Sequence, residues 1–133
     1  MCAQCDIRAV MAKYCWHVDH CEWDAWLALF ADDVCWGAKG GRPFEGRESM
    51  EKVARGLAKR RVDAAPTRHL LTADLIQVAG DHATAKGYVV VVNVASKEIA
   101  TVGDLDVAFT KLADRWRIQR YEFDPIIDAA PAS

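Results

Sequence analysis

The sequence predicts an α+β domain: a cone-shaped barrel made of a curved antiparallel sheet packed on three N-terminal helices. Up to residue 66 apolar residues recur mostly at a helical period, and from residue 67 onward they alternate as strands require. Helices that precede a run of strands are typical of domains whose helices cover one side of an antiparallel sheet. A long sheet of this kind twists and curls, so the helices would close a space against its concave face.

Three helices are predicted in the first half of the chain. Residues 4–18 carry a single apolar stripe, and Asp19 ends this helix. A second helix is predicted from about residue 20 to residue 31, with its tryptophans on the buried face. A third is predicted over residues 46–61, because acidic residues occupy its first turn.

Strands fill the rest of the chain. A short β segment at residues 34–37 is followed by a glycine-rich turn, and a second short strand is predicted at Phe44. Four longer segments form a meander with tight turns: residues 67–79, 83–96, 99–112 and 116–123. We treat residues 1–133 as one domain with its core at about 4–124, and we expect the tail 125–133 to fray.

Composition excludes several classes of function. The chain has 133 residues, of which 52% are hydrophobic and 27% charged, as in ordinary soluble domains. The net charge is −2, and Lys59-Arg60-Arg61 is too short for a nucleic-acid footprint, so this run is interpreted as a solvated helix end. No apolar run could span a membrane, and no leader precedes the first helix. We therefore expect a cytoplasmic protein that binds neither nucleic acid nor membrane.

The five cysteines are an odd number, which favours reduced thiols over a disulfide framework. The pair Cys2-x-x-Cys5 invites a zinc interpretation, with further ligands to be drawn from His17, His20 and Cys21. A structural zinc site usually shows two ligand pairs with regular spacing, and here the second pair lacks that spacing. No metal and no other cofactor is therefore expected.

Six short motifs follow one another in a fixed order. They are Tyr14-x4-Asp19-x3-Trp23, residues 29–36, residues 44–48, residues 67–70, residues 80–85 and residues 115–118. This order resembles the SnoaL-like domains of the nuclear transport factor 2-like superfamily over about residues 4–124, with their cystatin-like α+β barrel. The superfamily contains lyases, hydrolases, isomerases, cyclases and non-catalytic binders, so the resemblance implies the fold more strongly than the activity.

The resemblance implies a catalytic dyad. In scytalone dehydratase, bile-acid 7α-dehydratase and hexachlorocyclohexane dehydrochlorinase, a histidine at the position of His69 is the base, and an aspartate at the position of Asp19 is its partner. Tyr14 stands where the bile-acid enzyme has a tyrosine, and would donate a proton to a leaving hydroxyl or hold a substrate oxygen. The structural alternatives are a hydrogen-bonded core histidine, a core tyrosine, and Asp19 as the first residue of a capping box with Glu22.

A largely apolar substrate pocket is expected between the helices and the sheet. The residues predicted to bind the substrate are Trp23, Trp36, Val89, Val91, Asn93 and Tyr121, with Val18, Leu27, Met50 and Val53 as further lining. Strand alternation puts Arg117, Gln119, Tyr121 and Phe123 on one face of the last strand, and Trp116, Ile118 and Arg120 on the other. Such a pocket suits a small hydrophobic ring compound.

The predicted function is a cofactor-independent lyase of the dehydratase type, in which the His69–Asp19 dyad removes a proton. The alternatives are an isomerase or a polyketide-type cyclase that uses the same dyad, or a small-molecule binding protein without turnover. Tyr88, Val90, Val92 and Val94 would form an apolar outer face of the sheet. A homodimer or higher homo-oligomer through this face is therefore expected.

Overall fold

The protein is described by a computed structural model that covers residues 2–63 and 66–128. Along the chain, two helices are followed by two short strands, a third helix and then four long strands. Their bounds are α1 Ala3–Asp19, α2 Trp23–Leu27, β1 Phe30–Ala38, β2 Phe44–Glu45, α3 Gly46–Asp63, β3 Thr67–Ala79, β4 His82–Asn93, β5 Glu98–Leu112 and β6 Arg115–Asp128. The α+β class is thus confirmed.

All six strands form one curved sheet in the order β2-β1-β6-β5-β4-β3. The long strands β3 to β6 pair antiparallel in chain order, as predicted, and β1 lies parallel to β6. Because β2 and β3 are free edges, the sheet curls around the helices without closing into a barrel. Helix α1 packs chiefly against β3 and buries Ile7, Met11 and Tyr14.

The second helix is much shorter than predicted. It ends at Leu27, and β1 begins at Phe30, where the backbone N–H of Ile118 donates to the Leu29 carbonyl at 2.8 Å. Trp26 and Phe30 have helical spacing, yet both are buried because the chain turns from helix to strand between them. The predicted helix over residues 20–31 is therefore wrong outside residues 23–27.

A β-bulge in β6 changes which side chains point inward. Ile118 pairs with Phe109 and Tyr121 pairs with Val107, so two residues intervene on β6 where one intervenes on β5. As a result Ile118 and Tyr121 are both buried on the concave side, although strict alternation would separate them. The predicted division of β6 into two faces is wrong for this reason.

Two glycines allow the curvature of the sheet. A Cβ on Gly87 would lie 1.6 Å from the carbonyl oxygen of Thr72, beside the register shift in β3, and one on Gly103 would lie 2.2 Å from the Phe123 ring. Strand β6 also continues through Pro125 to Asp128, so residues 125–128 are ordered in the sheet rather than frayed. The rest of the predicted tail, 129–133, lies outside the described residues. None of the described helices is long and apolar enough to cross a bilayer.

Candidate active site

Asp19 and His69 meet where the C-terminus of α1 crosses the start of β3. The two are fifty positions apart in sequence, yet Asp19 Oδ1 lies 2.5 Å from His69 Nδ1. The other carboxylate oxygen, Oδ2, accepts the backbone N–H of His69 at 2.7 Å. Asp19 is 7% exposed and the His69 side chain 17% exposed, so the pair is shielded from bulk water.

Asp19 does not cap the second helix. The residue that caps the start of α2 is Glu22, which makes no side-chain capping hydrogen bond, and Asp19 is the last residue of α1. Its carboxylate turns toward the sheet, where it accepts three hydrogen bonds. The predicted capping box is therefore wrong, and the predicted contact with His69 is present.

A third donor to the carboxylate is the Thr67 hydroxyl, at 3.2 Å from Oδ1. That hydroxyl in turn accepts a hydrogen bond from Arg61 Nη2 near the end of α3. Burial raises the pKa of the Asp19 carboxyl, but the hydrogen bonds from His69 and Thr67 outweigh burial and leave the pKa below its usual value. Asp19 is therefore ionised at neutral pH.

An ionised Asp19 determines the tautomer of His69. A carboxylate only accepts hydrogen bonds, so the neutral imidazole must carry its proton on Nδ1. The other nitrogen, Nε2, then has a free lone pair, and no group within residues 2–63 and 66–128 is hydrogen-bonded to it. Such a nitrogen can accept a proton from a ligand, and the carboxylate stabilises the imidazolium that results.

His69 lies in the wall of a cavity of about 400 Å³ between α1, the β1–β2 turn and the concave face of the sheet. The lining is mostly apolar, with a few polar groups among it. It consists of Tyr14, Trp36, Gly37, Ala38, Gly41, Arg42, Phe44, His69, Val89, Val91, Thr101, Tyr121 and Phe123. A cavity of this size and character fits a small organic molecule of one to three rings.

Two buried phenols form another wall of the cavity. The rings of Tyr14 and Tyr121 are stacked with their centroids 4.7 Å apart, and Trp36 Nε1 donates to the Tyr14 hydroxyl at 3.0 Å. Burial raises the pKa of both phenols above the usual value. Both therefore stay protonated at neutral pH. A hydrogen bond from Tyr121 to Tyr14 uses one phenol proton and leaves the Tyr14 proton for an oxygen of a bound molecule.

Four of the six residues predicted to bind the substrate, Trp36, Val89, Val91 and Tyr121, line this cavity. Trp23 does not, because it lies in a surface groove between α2 and α3 with Asp24 and Leu27. Asn93 does not either, because its Oδ1 accepts the backbone N–H of Ser96 at 3.2 Å in the β4–β5 turn. Two residues of the wider predicted lining, Val18 and Met50, are buried in the core.

Beside the predicted residues, the site involves Thr67, Arg61 and the β1–β2 turn that carries Arg42, none of which was predicted to take part. Thr67 has a signal in the sequence, because it precedes His69 by two residues and therefore shares its face of β3. Arg61 has no such signal in the sequence, because the run Lys59-Arg60-Arg61 is typical of a solvated helix end. Arg42 lines the cavity and has no hydrogen-bonding or ionic partner among the described residues.

His69 also borders a second groove of about 700 Å³, which runs around the edge of β3 against α1. Cys15 lies in this groove. Burial, with a smaller effect from the charge of Asp19, raises the pKa of the Cys15 thiol to about 12. The thiol is therefore neutral and a poor nucleophile at neutral pH.

The fold and the cavity define an open cone of helices and sheet with a His–Asp pair in its wall. The chain belongs to the SnoaL-like domain family, whose model matches residues 1–122. No match is found among curated proteins.

Solved structures show the same fold. A Mycobacterium tuberculosis protein of unknown function is 28% identical with a TM-score of 0.79, over 90% of this chain and 69% of its own. An NTF2-like protein with a cystatin-like fold from Novosphingobium aromaticivorans is 26% identical with a TM-score of 0.81, over 96% and 83%. A candidate scytalone dehydratase from the same organism shares the fold at 21% identity and a TM-score of 0.79, over 92% and 83%.

Proposed function

We propose that the protein is a lyase of the dehydratase type that acts on a small hydrophobic ring compound without a cofactor. One observation carries the proposal: Asp19 fixes His69 as the Nδ1–H tautomer in the wall of an apolar cavity. This arrangement leaves Nε2 ready to accept a proton inside a site large enough for a ring. The SnoaL-like family includes dehydratases, isomerases and cyclases, so membership of this family supports proton-transfer chemistry of this kind.

The proposed reaction begins at a C–H bond next to a carbonyl of the substrate. His69 Nε2 takes this proton, and Asp19 stabilises the imidazolium that forms. The electron pair of the C–H bond moves toward the carbonyl, whose oxygen accepts a hydrogen bond from the Tyr14 phenol, and Tyr121 donates in turn to Tyr14. A hydroxyl group on the next carbon then leaves with the proton that His69 carries, so that water is released and a double bond remains.

The phenols act as hydrogen-bond donors in this scheme. Their raised pKa makes full proton transfer costly, whereas a hydrogen bond to a developing enolate oxygen becomes stronger in a buried site. Tyr14 is held in place by Trp36 and by stacking on Tyr121. The pair is thus oriented before the substrate binds.

The first test measures turnover of β-hydroxy ring ketones by the absorbance of the conjugated product. His69→Ala should reduce the rate by about 10²- to 10⁴-fold, because the general base is lost. His82→Ala is the matched control, since His82 is exposed at the start of β4, away from the cavity. Unchanged turnover in His69→Ala would rule out the mechanism.

An isomerase is the second candidate, and the phenol pair favours it. A base beside an enolate-binding site can return the proton to a different carbon when the substrate has no leaving group. Turnover of an unsaturated ketone with transfer of a deuteron between carbons, and no release of water, would identify this reaction. A protein that binds the same ketones with equal affinity before and after His69→Ala, and converts none, would be a binding protein instead.

A further inference from the structure

A row of hydrogen bonds extends the dyad to helix α3. Arg61 Nη2 donates to Thr67 Oγ1, Thr67 Oγ1 donates to Asp19 Oδ1 at 3.2 Å, and Asp19 Oδ1 meets His69 Nδ1 at 2.5 Å. Arg61 and Thr67 are half-buried and lie on different elements, α3 and β3. The row therefore joins three elements of the fold at one carboxylate.

We infer that Arg61 and Thr67 are positioning residues, which orient Asp19 and reduce the stabilisation that Asp19 gives to a protonated His69. The inference rests on the proposed role of His69 as a base and adds two residues to that site. Neither residue lines the 400 Å³ cavity, so both would act through Asp19 rather than on a ligand.

The direction of the row follows from the chemistry of each group. A guanidinium can only donate, so Thr67 Oγ1 is the acceptor toward Arg61 and must use its single proton toward Asp19. The carboxylate then receives donors on both oxygens: Thr67 and the imidazole on Oδ1, and the His69 backbone on Oδ2. Rotation of the carboxylate would break all three bonds, so Oδ1 stays aimed at Nδ1.

The row also has an electrostatic effect on His69. Asp19 favours the imidazolium because opposite charges attract, but a carboxylate that already receives a donor from Thr67 is a weaker acceptor. The positive charge of Arg61, one hydroxyl away, opposes a second positive charge on His69. Both effects favour release of the proton from His69, which a base needs in each turnover.

Other titratable and charged groups also lie near His69. Those that share its cavity or its groove are Arg8, Tyr14, Cys15, Arg42, Asp74, Tyr88 and Tyr121. Arg8 and Asp74 pair with each other at 3.4 Å. None of these groups is hydrogen-bonded to Asp19 or to the imidazole, whereas Thr67 is hydrogen-bonded to Asp19.

The test follows the four histidine side chains by ¹⁵N NMR as the pH is changed, which needs no substrate. Arg61→Gln and Thr67→Val should each raise the titration midpoint of the His69 ring relative to the unsubstituted chain. Thr67→Ser should leave the midpoint unchanged because it keeps the hydroxyl. Asp19→Asn should shift it the opposite way, since the attracting charge is lost.

Arg60→Gln is the matched control, because Arg60 adjoins Arg61 and, among the residues that the structure describes, hydrogen-bonds only the Gly56 carbonyl of its own helix. If Arg61→Gln lowers thermal stability but leaves the ring titration unchanged, or lowers the midpoint, the inference is wrong and the contact only attaches α3 to β3. If Thr67→Val does not fold, Arg61→Gln decides alone. The proposed reaction is tested separately, because its failure in turnover assays would leave these titrations unaffected.

Discussion

Asp19 shows how one carboxylate is kept ionised in a shielded place. Burial alone would favour the protonated acid, and three hydrogen bonds from Thr67 and His69 reverse that preference. The same three donors hold the carboxylate at the C-terminal end of α1, where the dipole of the helix disfavours a negative charge. The contacts with β3 must therefore outweigh burial and the dipole together.

A prediction on stability follows for Asp19. Its pKa is lower in the folded chain than the usual 3.8, so the folded chain binds this proton more weakly than the unfolded chain. Ionised Asp19 therefore stabilises the fold above about pH 4, and this stabilisation is lost as the pH falls through the lowered native pKa. Asp19→Asn should cost about 2 kcal/mol at pH 7, the usual value for hydrogen bonds to a charged group.

Urea denaturation across the acid range measures this effect. The free energies of unfolding of Asp19→Asn and the unsubstituted chain should converge as the pH falls through the lowered native pKa of Asp19, below which its carboxyl is protonated. Asp81→Asn, at an exposed turn residue, is the control and should change little at any pH. A difference that stays constant from pH 7 to pH 3 would show that charge plays no part.

At the scale of the elements, periodicity predicts most of the fold and misses the places where the period breaks. Strand β3 has the predicted bounds, and α1 and α3 differ from prediction by at most two residues at either end. The bulge in β6 is invisible in the sequence, because a bulge adds a residue without changing the apolar content of the strand. Tyr121 still lines the cavity as predicted, whereas Asn93 does not, because its side chain is hydrogen-bonded in the β4–β5 turn.

Gly87 tests whether the register shift in β3 depends on the missing side chain. In Gly87→Ala the new Cβ would overlap the Thr72 carbonyl, so the backbone must move, and a loss of about 3 kcal/mol or more is expected. Gly56→Ala is the control, since no atom lies within 4 Å of its Cβ position in α3 and alanine favours a helix by about 1 kcal/mol. The two variants should therefore shift the urea midpoint in opposite directions, and a neutral Gly87→Ala would refute the close approach.

At the scale of the whole molecule, the concave side of the sheet is covered by helices and the convex side is not. Leu70 on β3 and Tyr88 on β4 are 61% and 64% exposed, and the half-buried Val90 and Val92 continue the same surface. Val94, which was expected on this strand face, follows the end of β4, where its backbone N–H donates to the Pro66 carbonyl. An uncovered apolar surface of this kind favours association with another protein surface.

We expect a second copy of the chain to cover this face, because an exposed apolar surface can pair with the same surface of a second copy about a twofold axis. Val90→Glu would place a charge at the centre of the contact and should convert a homodimer to a monomer, as measured by light scattering during size-exclusion chromatography. Ala25→Glu is the matched control, since it adds the same charge at an exposed position of α2 and should leave the mass unchanged. A monomeric unsubstituted chain at micromolar concentration would contradict the expectation, whereas a dimer that persists in Val90→Glu would place the interface elsewhere on the molecule.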